Sequence, residues 1–246
     1  MTRLHRPKAG WAIRLCVMLI YPSIGVVFRI RYRHLDRVPP PEAGAVIIAM
    51  NHVSIIDTCV MARLVWQSGR VPRFLIKSGV FHIPIIGKIV RSAGQIPVYR
   101  GTTDAAKSLH DAVVAIEQGE AVVIYPEGTI TKDPAQWPME SRTGVARLVL
   151  QSPDTPVVPV GQWGAQHRTS LPWWRKLGRR RADASVGTAL DLSKYRDREP
   201  SAETLREITD VIMDAVRAQV AEVRGELPPA VFFKPTEHRV DKKRAG

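Results

Sequence analysis

A histidine and an aspartate stand five residues apart, directly after a short apolar run of the chain. His52 and Asp57 follow the run that ends at Met50. On one continuous helix the two side chains would point about 140° apart, because each residue turns the helix by about 100°. They meet only if His52 lies in a loop and Asp57 lies in the first turn of the next helix. An imidazole held by a carboxylate in this way is suited to general-base chemistry.

Ser54 favours a break between loop and helix at this point. Serine is a preferred N-cap residue, and Asp57 stands three residues after it. The same spacing also fits a plain capping box, in which Asp57 completes the helix start and His52 is an ordinary loop histidine. From these residues alone, both interpretations stay open.

Two further apolar runs also end in polar residues. Arg100 follows the run 95–99, and a Pro-Glu-Gly-Thr turn follows the run 121–125. Ligands of open α/β sheets bind at strand ends, and arginine is suited to bidentate contact with phosphate. Taken singly, each feature is also typical of a surface arginine or a common turn. The candidate residues of the turn are Glu127, Gly128 and Thr129.

Short apolar runs alternate with longer amphipathic ones from residue 31 onward. This alternation is typical of a single α/β domain whose mainly parallel mixed sheet is covered by helices on both faces. The final helix has the clearest pattern, with apolar residues every three or four positions between 201 and 224. The predicted strands are 45–50, 73–77, 95–99, 121–125, 157–160 and 184–187, and the predicted helices are 54–66, 84–92, 103–118, 144–151 and 201–224.

Composition limits the class of protein. Of 246 residues, 45% are hydrophobic, which excludes a disordered chain. Two cysteines, Cys16 and Cys59, exclude a disulfide scaffold and a four-cysteine zinc site, and they favour a reducing compartment. The net charge of +13 indicates an anionic partner, which could be nucleic acid, a membrane surface or a phosphorylated substrate.

The excess charge lies beside apolar and aromatic residues. Residues 1–37 carry eight bases and one acid, and residues 168–181 carry six bases and no acid. As a helix, the apolar segment 15–28 would rise about 21 Å, short of the roughly 30 Å of a hydrocarbon core. Pro22 and Gly25 would kink or split it. We expect an interfacial or half-inserted helical pair; a buried core helix is the alternative. The predicted division is a membrane-associating segment 1–30, a domain 31–230 and a basic tail 231–246.

Four segments together resemble one family. They are the Asn-His-x-Ser-x-x-Asp block at 51–57, the Arg-Gly pair at 100–101, the Tyr-Pro-Glu-Gly-Thr block at 125–129 and the Pro-Val-Val-Pro-Val strand at 156–160. In this order and spacing, residues 30–190 resemble the glycerolipid acyltransferases, in particular 1-acylglycerol-3-phosphate (lysophosphatidate) acyltransferases. The resemblance implies a membrane-associated enzyme of phospholipid synthesis. Such an enzyme moves a fatty acyl group from acyl-CoA or acyl carrier protein to a hydroxyl of lysophosphatidate or glycerol-3-phosphate.

The resemblance also implies roles for residues. His52 would be the general base and Asp57 would orient it, Arg100 would pair with the acceptor phosphate, and the turn residues Glu127, Gly128 and Thr129 would orient the acceptor. Lys77 and Arg142 are candidates for further cations at the acceptor. We expect no metal site and no cofactor apart from the acyl-CoA or acyl carrier protein cosubstrate.

One departure from the family pattern leaves the acceptor open. Many relatives have arginine after the Pro-Glu-Gly-Thr block, whereas this chain has Ile130. Another lysophospholipid or a glycolipid is therefore an alternative acceptor. A non-catalytic basic protein that binds lipid or nucleic acid is the alternative of another class. The chain has no zinc-finger or RRM signature that would favour binding to nucleic acid. We therefore expect it to bind the anionic surface of the cytoplasmic membrane, peripherally or monotopically, on the cytoplasmic side.

Overall fold

A seven-stranded sheet with helices on both faces makes up the protein. The computed structural model describes residues 10–99, 105–166 and 180–235. Within these ranges the strands are β1 (Phe28–Arg33), β2 (Val46–Met50), β3 (Pro72–Lys77), β4 (Ile96–Val98), β5 (Ala121–Ile124), β6 (Val157–Trp163) and β7 (Arg180–Val186). The α-helices there are α1 (Trp11–Val27), α2 (Asp57–Gln67), α3 (Ile86–Ser92), α4 (Ala105–Glu117), α5 (Gly144–Gln151) and α6 (Ala202–Arg224).

The strand order places β2 near the middle of the sheet. The order is β1-β7-β6-β2-β5-β3-β4, with β6 and β7 antiparallel and the other neighbours parallel. In β2, Ile47 is level with Val122 of β5 on one side and with Val157 of β6 on the other. All five residues of β2 are buried, as expected of a parallel strand covered on both faces. The predicted mainly parallel mixed sheet is therefore confirmed.

Helices cover the two faces with separate apolar layers. Ile48 and Met50 of β2 pack with α1 and α2, whereas Ile47 and Ala49 pack with α4, α5 and α6. The apolar stripe of α6 is buried, and Ser201 caps its start by accepting the Thr204 N–H at 3.1 Å. Gly225 ends it in the left-handed conformation at φ 68°, which suits glycine. Alternating residues of β2 thus hold the middle of the sheet between two packed layers.

The N-terminal segment differs from the prediction. The expected helical pair is wrong, because α1 is a single helix of 17 residues with Pro22 inside it. Packing on α2 compensates for the helix hydrogen bond that Pro22 cannot make. The Tyr21 hydroxyl donates to the Ala62 carbonyl at 2.9 Å, and Ile24 is buried. No helix among the described residues has the length and apolar character needed to cross a bilayer. Large apolar side chains of α1 nevertheless face outward, namely Trp11, Met18, Leu19 and Val26.

Strand β1 was not predicted from the sequence. It pairs in parallel with β7, so the predicted boundary between residues 30 and 31 falls inside it. The three arginines that follow the apolar segment 15–28, at 29, 31 and 33, lie on this strand of the sheet. Strand β7 begins at Arg180, four residues before its predicted start. The remainder of the second basic cluster, up to residue 179, and the tail from 236 lie outside the described residues.

Candidate active site

The end of β2 is joined to the end of β6 by an amide side chain. Asn51 follows β2 directly and is fully buried. Its Oδ1 accepts the Gln162 N–H at 2.8 Å, and its Nδ2 donates to the Gln162 carbonyl at 3.0 Å. This pair of bonds continues the pairing of β2 with β6 past Met50. The backbone of the next residue, His52, therefore leaves the sheet from a fixed point.

His52 and Asp57 do meet. His52 Nδ1 lies 3.0 Å from both carboxylate oxygens of Asp57. Because a carboxylate only accepts hydrogen bonds, Nδ1 carries the proton of a neutral ring and the other ring nitrogen is left basic. Asp57 is fully buried, whereas the His52 side chain keeps 17% of its exposure. The imidazole is therefore the member of the pair that an incoming hydroxyl can reach.

The reciprocal Ser54–Asp57 bonds expected of a capping box form together with the dyad, but the expected N-cap is wrong, because the N-cap of α2 is Ile56, without a side-chain cap. Asp57 Oδ2 accepts the Ser54 N–H at 2.9 Å, and Ser54 Oγ accepts the Asp57 N–H at 3.2 Å. Residues 54–56 form the turn, so α2 begins at Asp57 and not at the predicted residue 54. Oδ2 also accepts the Val53 N–H at 2.7 Å. The contacts of the loop and turn before α2 thus hold the carboxylate next to His52.

Two residues that the sequence did not single out complete the surroundings of Asp57. From β6, Gln162 Nε2 donates to Asp57 Oδ2 at 2.8 Å. After β5, the Tyr125 hydroxyl donates to Asp57 Oδ1 at 3.2 Å, and its ring stacks on His52 with centroids 4.3 Å apart. Burial, together with the nearby Asp57 charge, raises the pKa of Tyr125 well above its ordinary value, so the phenol stays a donor. Tyr125 had a signal in its motif at a strand end, whereas Gln162 had none.

Glu127 connects the loop after β2 with the loop before α5. It is 3% exposed, and its oxygens accept the His52 N–H at 2.9 Å and the Met139 N–H at 3.1 Å. Burial raises the pKa of Glu127 to about 8, against the lowering effect of these two bonds. Gly128 turns the chain at φ 69°, and its N–H donates to the Tyr125 carbonyl at 2.9 Å. The carboxyl group of Glu127 thus positions the backbone of His52, and its expected contact with an acceptor stays a prediction.

The remaining predicted site residues lie at different distances from the dyad. Thr129 and Arg142 are exposed near the turn at 125–128, and the Arg142 N–H donates to the Pro126 carbonyl at 3.2 Å. Lys77 is exposed at the end of β3, which is separated from β2 by β5. Arg100 lies outside the described residues. The structure therefore brings together His52, Asp57, the 127–129 turn and Arg142, with Lys77 farther along the same edge.

Known proteins share this chain's family and fold. The Acyltransferase family model matches residues 29–163. The chloroplastic 1-acyl-sn-glycerol-3-phosphate acyltransferase LPAT1 of Arabidopsis thaliana is 28% identical over 151 residues, which cover 58% of this chain and 41% of the relative. N-acylphosphatidylethanolamine synthase of the same plant is 27% identical over 125 residues, covering 48% of this chain and 43% of the relative. The chain thus spans about two fifths of the curated relatives it matches.

A solved structure resembles the whole architecture. The crystal structure of the 1-acyl-sn-glycerophosphate (LPA) acyltransferase PlsC from Thermotoga maritima matches with a TM-score of 0.63, covering 88% of this chain and 81% of that one. At 17% identity, this match is one of fold. The family match includes β2, the dyad, the 125–129 turn and β6. The chain therefore belongs to the Acyltransferase family.

Proposed function

We propose that this chain is an O-acyltransferase of glycerolipid synthesis. It would transfer a fatty acyl group from acyl-CoA or acyl carrier protein to a hydroxyl of lysophosphatidate or glycerol-3-phosphate. Family membership supports the acyl-transfer chemistry. The name of the plant relative LPAT1, a 1-acyl-sn-glycerol-3-phosphate acyltransferase, supports this acceptor class.

The observation that carries the proposal is the His52–Asp57 pair. With Nδ1 held at 3.0 Å by a buried carboxylate, the other ring nitrogen of His52 is free to accept the proton of an acceptor hydroxyl. That oxygen bonds to the thioester carbonyl carbon, the carbon–sulfur bond breaks, and the proton passes from His52 to the departing thiolate. Asp57 stabilises the imidazolium while it exists. A serine acyl-enzyme is not part of the proposal, because the chain has no G-x-S-x-G segment.

Acceptor binding is proposed for the edge of the sheet around the dyad. Arg100 would pair with the phosphate, with Arg142 and Lys77 as further cations. Gly128 and Thr129 would border the acceptor, and Glu127 would act through the backbone of His52. The exposure of Arg142 beside the turn that contains Glu127 supports this role.

Membrane attachment is proposed for the N-terminal helix. Trp11 and Val26 of α1 are 64% and 74% exposed, and Met18 and Leu19 lie between them with more than half of each side chain exposed. Arg29 and Arg31 follow at the start of β1. Apolar groups beside cations favour the interface of an anionic bilayer. We propose peripheral or monotopic binding at the cytoplasmic side.

Replacement of His52 tests the activity. We expect His52→Ala to lower thiol release from acyl-CoA with lysophosphatidate or glycerol-3-phosphate by about 10²–10⁴-fold, the usual contribution of a general base. His110→Ala is the matched control, because His110 is an exposed histidine of α4. Turnover of His52→Ala close to that of the control, with both variants folded by circular dichroism, would contradict the proposal.

A different acceptor is the second candidate. The relative named N-acylphosphatidylethanolamine synthase and the presence of Ile130 after the Pro-Glu-Gly-Thr block favour it. A panel of lysophosphatidate, glycerol-3-phosphate, other lysophospholipids, a glycolipid and phosphatidylethanolamine separates the candidates. Mass spectrometry of the products identifies the acylated position. A preference for an acceptor without a phosphomonoester would select the second candidate.

A further inference from the structure

Tyr125 contacts both members of the dyad. Its hydroxyl lies 3.2 Å from Asp57 Oδ1, and its ring stacks on the His52 imidazole at 4.3 Å with 26° between the planes. Phe74 packs on the same tyrosine ring, with centroids 6.3 Å apart. A phenylalanine at 125 would keep both ring contacts and would lose the bonds that the hydroxyl makes to Asp57 Oδ1 at 3.2 Å and to Thr58 Oγ1 at 3.4 Å. The hydroxyl therefore has an effect of its own, separable from packing.

The two oxygens of Asp57 are held unequally. Oδ2 accepts the N–H groups of Val53 and Ser54 and the Nε2 of Gln162, at 2.7 to 2.9 Å. Besides His52, the groups facing Oδ1 among the described residues are the hydroxyls of Tyr125 at 3.2 Å and Thr58 at 3.4 Å. Apart from the bond to His52, Oδ1 therefore accepts fewer and longer hydrogen bonds than Oδ2. A donor placed on Oδ1 competes with the proton on His52 Nδ1.

We propose that Tyr125 is a positioning residue that tunes the base: its hydroxyl weakens Asp57 as an acceptor and so makes His52 hold a second proton less tightly. A carboxylate that accepts from a phenol attracts an imidazolium less strongly. Without this bond His52 would hold its proton to higher pH and the base would be lost earlier on acidification. The inference rests on the proposed function of His52.

The other titratable groups near Asp57 are the same in the wild-type protein and in Tyr125→Phe. His52 and Cys59 belong to its own segment, and Tyr125 and Glu127 come from the connection between β5 and α5. Strand β6 contributes the neutral Gln162. Because Tyr125→Phe changes one of these groups alone, a shift between the two pH profiles reports the phenol hydroxyl.

The test is the pH profile of kcat/KM for acyl transfer. We expect Tyr125→Phe to move the acid limb upward by about 0.5 pH unit, with the plateau within twofold of wild type, because one modest hydrogen bond is removed. At pH values below the acid limb, this shift lowers kcat/KM by about threefold. Tyr195→Phe is the matched control: Tyr195 is buried and its hydroxyl donates to Glu207 at 2.7 Å, in the bonding of a different carboxylate.

A second variant gives the opposite sign. Site-specific 3-fluorotyrosine at 125 keeps the shape of the ring and makes the phenol a stronger donor, so the acid limb should move downward. Superposed profiles for wild type and Tyr125→Phe would overturn the inference, as would an equal loss of rate at every pH or the same shift in Tyr195→Phe. If Tyr125→Phe unfolds below the assay temperature, the pH profile of the fluorotyrosine protein is the test. An acid limb that moves upward or does not move in that protein overturns the inference. Activity in His52→Ala would instead overturn the proposed function itself.

Discussion

Replacing Asp57 by asparagine is the perturbation that separates the dyad from the helix start. The amide can place its oxygen where Oδ2 now accepts from Val53, Ser54 and Gln162. Its NH₂ group then takes the place of Oδ1 and faces His52 Nδ1. Nδ1 also lies 3.0 Å from the position of Oδ2, but the oxygen there already accepts three other hydrogen bonds. We therefore expect the imidazole to accept from the amide NH₂ group through Nδ1 and to carry its proton on the other nitrogen. That tautomer cannot accept a proton from the substrate hydroxyl.

The expected magnitude is large for catalysis and small for stability. We expect kcat to fall by about 10³–10⁴-fold, as for an imidazole held in the wrong tautomer. The three bonds at Oδ2 persist as neutral hydrogen bonds, and the cost of burying a charge is removed. We therefore expect a loss of about 1–2 kcal/mol, which in a chain of this length lowers Tm by about 2–8 °C. By contrast, Asp57→Ala would leave three buried donors unpaired, at about 1–3 kcal/mol each.

Three measurements check the argument. Thiol release gives kcat, circular dichroism gives Tm, and long-range ¹H–¹⁵N spectra report the tautomer of His52. Asp214→Asn is the control, because Asp214 is an exposed carboxylate of α6 paired with Arg217. A kcat for Asp57→Asn within tenfold of wild type, with the tautomer changed, would refute the role of Asp57. An unchanged tautomer would contradict the expected orientation of the amide, with its NH₂ group facing His52 Nδ1.

Two other perturbations give distinct results. The unfolded carboxyl of Glu127 loses its proton at lower pH than the folded one, whose pKa is raised to about 8, so Glu127 should make the free energy of unfolding fall between about pH 4.5 and 8. Urea titrations should show a shallower fall in Glu127→Gln, and equal slopes would contradict the burial argument. The paired substitution Met18→Glu and Leu19→Glu should reduce sedimentation with phosphatidylglycerol vesicles at least about tenfold, because each buried apolar side chain is worth about 1.5–3 kcal/mol. Unchanged sedimentation would remove α1 from the membrane contact.

Local patterns predicted the centre of the fold. The apolar run before His52 became the buried strand β2, and the stripe between residues 201 and 224 became α6. These predictions succeed because burial on one or both faces leaves a period in the sequence itself. The prediction for the N-terminal segment was wrong because its structure depends on packing contacts that leave no such period in the sequence. Pro22 argued for a break, but whether a helix continues past a proline depends on what it packs against, here Tyr21 on the α2 backbone.

The surroundings of Asp57 could be predicted only in part. The spacing of Ser54 and Asp57 is local, and it allowed both the capping box and the dyad that the structure combines. Gln162 reaches Asp57 through the register of two strands distant in sequence: Met50 is level with Val160, so residue 162 falls beside the loop that follows β2. No local period encodes that register. A sequence pattern therefore identifies the base more readily than the groups that control it.

The arrangement ties stability and catalysis to one carboxylate. Asp57 is the first residue of α2 and holds His52, and two of its donors come from the strands on either side of β2, Gln162 from β6 and Tyr125 after β5. A shift of either neighbouring strand would therefore alter the hydrogen bonds at the carboxylate. It follows that loosening the sheet around β2 should change the pH dependence of the reaction before it lowers the melting temperature, because the hydrogen bonds at Asp57 depend more steeply on distance and angle than the apolar contacts that hold the strands together.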